Sequence, residues 1–502
     1  MNVSRTIVMM FTIVVLVNGC DYQKISLEVK EAYLAKVPTG IVWESVVVSP
    51  DGKRVAYAAR QDGKWLVVAN SPNGRIYDGF QQIVYSFPSS RYESTIVFSP
   101  DSKKVAYAAQ LEEKWVVVVD GVQVGQYDSF KTGSLHFSPD SKHVAYSAKQ
   151  GTNWLVVENE VKIDEYDDVG EIVFSPNSER LLYQAQRGKK WFVVVDGQPG
   201  NEYERVTSLL FSPDSRRIAY AANRGNIWLA VVDGTEGAEY GCFSRYTYYS
   251  SGTGSSSYNR AGGSLVFSPD SKHVAYTAEC ADKWVVVVDG KESELWDEVG
   301  GLVYSADGCK LAYGAWLDHK GFAIVDGVTG HSHDRFAKNT VLFSPDGKRI
   351  MYVAGRDKDS MDVSFIVVDG IESREYEGIM SRSGQFSPDS KRVAFIVGRG
   401  DKRVLVVDGV EGDEYDDIRG PWFSPDSKRI ACITKKANKW HIVVNGTETK
   451  GYEHFSDMAR LVFDGPRSLH AVAVHNGQFL GVEVQIQCGF DFGCAAKRIA
   501  LW

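Results

Sequence analysis

The side chains of this 502-residue chain that could do chemistry are few and scattered. Cys488 and Cys494 bracket the stretch CGFDFGC, where a disulfide would clip the C-terminal tail. Cys242 opens a long insertion, and Cys280 sits at the polar tip of the following hairpin, so these two form a second candidate bridge. Cys432 occupies a slot that holds Tyr107 or Tyr146 in other copies of a repeated phrase, which predicts a buried thiol. The paired CxxC clusters of zinc sites are absent, and no metal is expected. The close histidine pairs, His331/His333 and His470/His475, read as loop or strand surface. Asp357, Asp359 and Asp362 imitate a calcium loop without its Gly and terminal Glu. No GxSxG elbow occurs, and neither a catalytic residue nor a cofactor is expected. A glycosidase or lyase needs only a few carboxylates drawn from distant segments, so an enzyme remains the alternative.

The strongest binding signal is aromatic. Gly241–Gly263 carries Phe243, Tyr246, Tyr248, Tyr249 and Tyr258 among Ser and Gly, the composition of contact loops with adaptable hydrogen bonding. A flexible Gly/Ser linker is the competing reading. A smaller insertion, 81–94, contains Tyr85, Phe87 and Tyr92.

What positions these residues is a repeat. FSPDSKHVAY occurs at 137–146 and again, unchanged, at 267–276. Ten copies or near-copies place their Pro slot at 50, 100, 139, 176, 213, 269, 306, 345, 388 and 425, most often 37 residues apart. A worn eleventh unit follows at 461–474. Each unit predicts four short strands: a run such as Leu265–Phe267, the Ser-Pro-Asp turn, a strand like Val105–Ala109, and a third strand that usually opens with Trp. An Asp-Gly hairpin turn then leads to a fourth strand carrying a Glu-Tyr-Asp theme. The second and third strands are apolar on both faces, so neighbours must cover both. Repeated sheets of this kind predict an all-β propeller of about eleven short blades. The longest step, 213 to 269, points to two rings, five blades plus six, with one large ring as the alternative. The division is then 1–19 signal peptide, 20–40 anchor segment, 41–240 blades 1–5, 241–263 insertion, 264–487 blades 6–11, and 488–502 tail.

The SPDSK-x-VAY and SPDGK-R pattern resembles the WD-type propeller repeats of the TolB-like kind found in bacteria. It covers roughly residues 40–475. The resemblance implies a propeller and says little about activity. The chain departs from TolB in its short blades and in having no separate α/β domain between the targeting segment and the first blade.

Met1–Gly19 reads as a targeting segment, with Arg5 followed by the apolar run Ile7–Val17, too short to span a bilayer. Val17-Asn18-Gly19-Cys20 resembles a bacterial lipobox, which implies lipidation of Cys20 and anchoring on the extracytoplasmic side of a membrane. Asp21 resembles the signal that holds such lipoproteins at the inner membrane of Gram-negative bacteria. Losing Arg5 moves the formal charge from −8 to −9, and an acidic chain argues against nucleic acid as a partner.

Positions that recur serve the blade, and those that vary are open to a partner. The recurring turns fall at one end of the strands. The variable hairpin tips fall at the other, with cations such as Lys64, Lys114, Lys283 and Lys402, while acids such as Asp167, Asp168, Asp416 and Asp417 are placed on outer fourth strands. The expectation is a membrane-anchored, non-enzymatic scaffold for a protein partner. A carbohydrate-active or glycan-binding propeller is the alternative.

Overall fold

The computed structural model describes residues 25–69, 74–80, 84–86, 91–93, 95–242, 265–358, 361–380, 383–455 and 461–488. They form eleven antiparallel sheets of four or five strands and one small hairpin, Val84–Ser86 with Arg91–Glu93. In blade 3, Val144–Gln150 pairs with Asn153–Glu158, which pairs in turn with Val161–Tyr166. The innermost row is two short pieces, Ser129–Phe130 and His136–Phe137, both paired to Val144–Gln150. Ala145, Tyr146, Ala148, Leu155, Val156 and Val157 are all buried, as an apolar run with neighbours on both faces requires. Among the described residues, no helix is long and apolar enough to cross a membrane.

The repeated phrase is spent on the seams between blades. In blade 2, Ser99 Oγ donates to Asp101 Oδ1 at 2.6 Å, and the Lys103 N–H donates to the same oxygen at 3.1 Å. The next residue after Asp101, Ser102, has φ 64°, the left-handed region that favours glycine, and glycine does fill this slot at 52, 308 and 347. Serine persists elsewhere because its Oγ accepts the Asp N–H of the preceding blade: Asp51 to Ser102 at 2.9 Å, Asp101 to Ser141 at 3.0 Å and Asp389 to Ser427 at 2.9 Å. The basic residue two places later reaches across the same seam. Arg54 Nη1 donates to the Ser102 and Lys103 carbonyls at 2.8 and 2.7 Å, and Arg180 and Arg349 repeat the contact. The Asp-Gly turns take positive φ at both positions, 50° and 83° at Asp120-Gly121, the geometry that joins two strands with no slack.

The blades form one ring. Each successive pair shares an apolar core, and the seam after blade 5 is like the rest: Ala221, Trp228 and Tyr240 pack with Leu265, Val274 and Tyr276 of blade 6. The last blade packs on the first through Val472, Val474 and Phe479 against Val46, Val55 and Tyr57. The division into five plus six is therefore not realised. The long step misled because its extra residues leave the innermost strand of blade 6 instead of a link between rings. Cys242 bridges to Glu279, and Val266–Phe267 pairs further along the same second strand, Val274–Cys280.

The ring is shut by its beginning. Ile25–Lys36, within the stretch assigned to an anchor segment, is the outermost strand of blade 11 and pairs antiparallel with Gln478–Cys488. Its Glu31 accepts hydrogen bonds from Tyr452 Oη and Lys450 Nζ of blade 10, both at 2.7 Å. The same Tyr-to-Glu contact joins Tyr203 to Glu236 and Tyr240 to Glu292 within the ring, at 2.8 and 2.9 Å. A strand from the far end of the chain thus reproduces an ordinary seam.

Candidate functional site: the inner edge and the tip face

The innermost strand of each blade has one unpaired edge, so residues can be looped out there without disturbing the other three strands. The chain uses this edge repeatedly. The row is bulged between Val169 and Ile172, Thr207 and Leu210, and Arg419 and Trp422. It is broken into two pieces in blades 3, 7, 8, 9 and 11. In blade 2 it is interrupted by the first insertion, since Gly79–Phe80 and Ile96–Phe98 pair with one second strand, Val105–Leu111. In blade 6 it is interrupted by the aromatic insertion. Both insertions leave from the inner edge partway along the strand. Phe243, Tyr246, Tyr248, Tyr249 and Tyr258 lie outside the described residues, as do Cys20 and Cys494.

Around these departures the edge carries charge held between neighbouring blades. Lys131 Nζ meets Asp168 Oδ1 at 2.6 Å, with both side chains about one-third exposed, and lies 5.3 Å from the Trp154 ring. Lys338 of blade 8 pairs with Glu298 of blade 7. Arg419 stacks 4.2 Å over Trp440 and donates to the Phe455 carbonyl at 3.1 Å. Lys131, Ser134, His136 and Glu171 line a shallow depression of about 630 Å³ between blades 3 and 4. Sequence reasoning missed these residues. Asp168 and Asp417, placed on outer strands, open the innermost strands of blades 4 and 10, Asp168–Phe174 and Asp417–Phe423. The usable signal was variation between copies in the stretch ahead of each Ser-Pro-Asp turn.

The tip face is not a bare cationic surface. Lys64 pairs with Asp78 at 3.0 Å and Arg403 with Asp417 at 2.8 Å, while Lys114, Lys283 and Lys402 hold Asp128, Asp297 and Asp416. Each of these lysines opens a third strand, and its aspartate follows the aromatic that ends the fourth. Because the aspartate turns back to the tip, cation and acid meet. The second oxygen of Asp128 accepts the Gly151 N–H of the next blade at 2.6 Å, tying the tips together as well. The Lys114 hydrogen bond and the Gly151 N–H hold the Asp128 carboxyl below the usual range.

The proposed Cys242–Cys280 bridge does not form. Cys242 stands opposite Glu279, so its side chain shares a face with that glutamate, and Cys280, one residue on, points the other way. Cys242 is buried and Cys280 exposed. Cys488 ends the last strand, opposite Ile25. Cys432 is a buried thiol, pushed up to about 12 by that burial. His333 stands in the tyrosine slot of its blade, buried, 3.2 Å from Tyr352 Oη, and burial lowers its pKa. Asp357 pairs with Arg335 at 2.9 Å, and Asp359 lies outside the described residues. Among the described residues no three His, Cys, Asp or Glu side chains gather as metal ligands.

No family model matches the chain, and no curated relative does. Among solved structures it is similar to the β-propeller domain of Swd1 from Myceliophteria thermophila, at 13% identity and TM-score 0.26 over 62% of this chain and 98% of that one. It is also similar to the dihydro-heme d1 dehydrogenase NirN, at 12% identity and TM-score 0.31 over 71% and 72%. A third is the propeller of the Trilobed protease from Pyrococcus furiosus, at 13% identity and TM-score 0.23 over 63% and 93%.

Proposed function

We propose that this protein is a membrane-anchored, extracytoplasmic scaffold of the TolB-like repeat kind, held by a lipid on Cys20 and recruiting a protein partner at the inner edge of its ring. One observation carries the reading. The described ends of the two long insertions leave the innermost strands of blades 2 and 6 at matching points, where most other blades cross in a few residues. The recurring residues are occupied with blade seams, so these insertions are where the chain departs from its own pattern. Five aromatics in 243–258 suit a large contact area. Asp21 favours the periplasmic side of the inner membrane if the host is Gram-negative.

The test compares the intact lipoprotein with a variant lacking 243–261, both tagged, in cross-linking capture from the native host and on a glycan array. A protein captured by the first and lost by the second supports the scaffold. Capture of one partner by both reduces the insertion to a loop. Array binding lost with the deletion gives the glycan reading, and no capture of any kind rejects both.

A further inference from the structure

The ring has two unlike faces, and the closing strand distinguishes them. Its Lys36 end pairs with Gln478 beside the hairpin tip of blade 11, where the Val37 N–H donates to the Gly477 carbonyl at 2.9 Å. Its Ile25 end pairs with Cys488, at the face made by the Ser-Pro-Asp and Asp-Gly turns. Residues 21–24 alone separate Ile25 from Cys20, so Cys20 lies within about 18 Å of Ile25 even with the chain fully extended. The tip face is ~36 Å away along the strand.

The turn face has the surface chemistry of a bilayer contact. Val122, Val161, Val328, Ile371 and Val410 are 59–75% exposed, and all five begin a fourth strand just past the hairpin turn. They belong to blades 2, 3, 7, 8 and 9, so they are spread around the ring. The Ser-Pro-Asp turns of the same face hold their charges at different depths. Lys103, Lys142 and Lys272 are 75–81% exposed, whereas their partners Asp101, Asp140 and Asp270 are 24–39% exposed, drawn inward by the Ser hydroxyls. In the Asp-Gly turns the order reverses, with Asp196 and Asp233 44–45% exposed over Arg180 and Arg217 at 28–30%. The Ser-Pro-Asp lysines still project furthest and can meet headgroup phosphates, with aliphatic side chains between. At the tips the separation is smaller: Lys283 and Asp297 are both 40% exposed, and Lys64 and Asp78 are 58% and 36% exposed.

We infer that the turn face is a lipid-docking surface that lies against the headgroup layer of the anchoring membrane and presents the tip face to the aqueous compartment. This rests on the lipoprotein reading above. The anchor on Cys20 reaches the ring at this face, beside Ile25, which selects a bilayer over a second copy of the chain.

Two native thiols report on it, Cys309 in a Ser-Ala-Asp turn and Cys280 at a tip, both exposed. The full chain, with Cys488 and Cys494 changed to Ser, is labelled with a fluorophore at one or other thiol by using C280S or C309S. It is then reconstituted through its own N-terminus into phosphatidylethanolamine–phosphatidylglycerol vesicles containing a headgroup-level quencher. Quenching of the Cys309 label at least threefold stronger than that of the Cys280 label is expected. Replacing Val328, Ile371 and Val410 by Asp should bring the two labels together while the protein stays on the vesicle. Equal quenching with wild-type aliphatics overturns the inference. So does a dimer that shields Cys309 without lipid quenching. Mass spectrometry of the N-terminal peptide separates the two levels: an unmodified Cys20 overturns the anchor and the docking together, whereas a lipidated Cys20 with equal quenching overturns the docking alone.

Discussion

Replacing Glu31 should loosen the ring at one seam. Glu31 accepts from the fully buried Tyr452 hydroxyl and from Lys450, and it is the contact by which the N-terminal strand holds blade 10. Glu31→Ala strands the Tyr452 hydroxyl, which costs about 1–3 kcal/mol. The Lys450 pair adds little, since that lysine is half exposed, and exposed pairs contribute ~0.2–1 kcal/mol. A total near 2 kcal/mol raises the population of the opened strand about 30-fold. Glu31→Gln keeps an acceptor for Tyr452 and should cost under ~1 kcal/mol. Native-state hydrogen exchange read on peptides covering 25–36 and 478–488 is the assay, because local opening is seen there before global unfolding. Tyr452→Phe in the Glu31→Ala background should add little, giving a coupling of about 1–2 kcal/mol. Burial raises the Glu31 pKa, but the hydrogen bonds from Lys450 and Tyr452 outweigh it and leave it below its ordinary 4.5. The ionised carboxylate therefore stabilises the seam above pH 4.5 and is lost as pH falls through the lower folded value. Exchange in Glu31→Ala no faster than in Glu31→Gln, or spread evenly over all blades, would refute the argument.

Ser141→Ala should destabilise by about 1–2 kcal/mol in chemical denaturation, since it keeps the left-handed strain and removes the acceptor of the Asp101 N–H. Ser141→Gly also loses the acceptor but relieves the strain, so it should cost less than the alanine by about 1 kcal/mol. The Ser-Pro-Asp carboxylates should make the ring resist acid: the Ser hydroxyls and turn N–H groups hold Asp140 and Asp270 down to about 2. With a depressed folded pKa their stabilisation is present above the ordinary 3.8 and lost on descent towards 2, so circular dichroism should show unfolding within that interval. At pH 8 a maleimide should modify Cys280 and Cys309 in the folded protein and spare Cys432 until denaturant is added.

The blades were legible because their signals are local. Pro and Asp mark one turn, Asp-Gly another, and alternating burial is replaced by runs such as Trp115–Val119 that only a two-sided cover explains. What escaped is what depends on distant pairing. ISLEVKEAYLAK carries none of the repeat's words, and its partner lies some 450 residues away, so nothing near it announces a blade strand. The step before residue 269 looked like a boundary because sequence distance does not say which strand an insertion leaves, and an inner edge tolerates one at no loss of core. Lys131 and Arg419 were hidden for the same reason, since they sit in the interruption where no motif repeats. The lysine–aspartate tip pairs were half visible: both partners recur, but their meeting depends on the fourth strand returning to the tip.

Closure by the first strand also sets an order of events. A chain that emerges N-terminus first presents Ile25–Lys36 at once and Gln478–Cys488 almost last, so this strand waits unpaired while every blade assembles behind it. Ten blades can form on local contacts as they appear. The eleventh cannot, and until it does the stack has two apolar ends and a loose edge strand, the form most exposed to pairing with another chain. Synthesis and folding are therefore coupled at a single late step, and the span between the two strands sets how long the open arc must be kept from its neighbours.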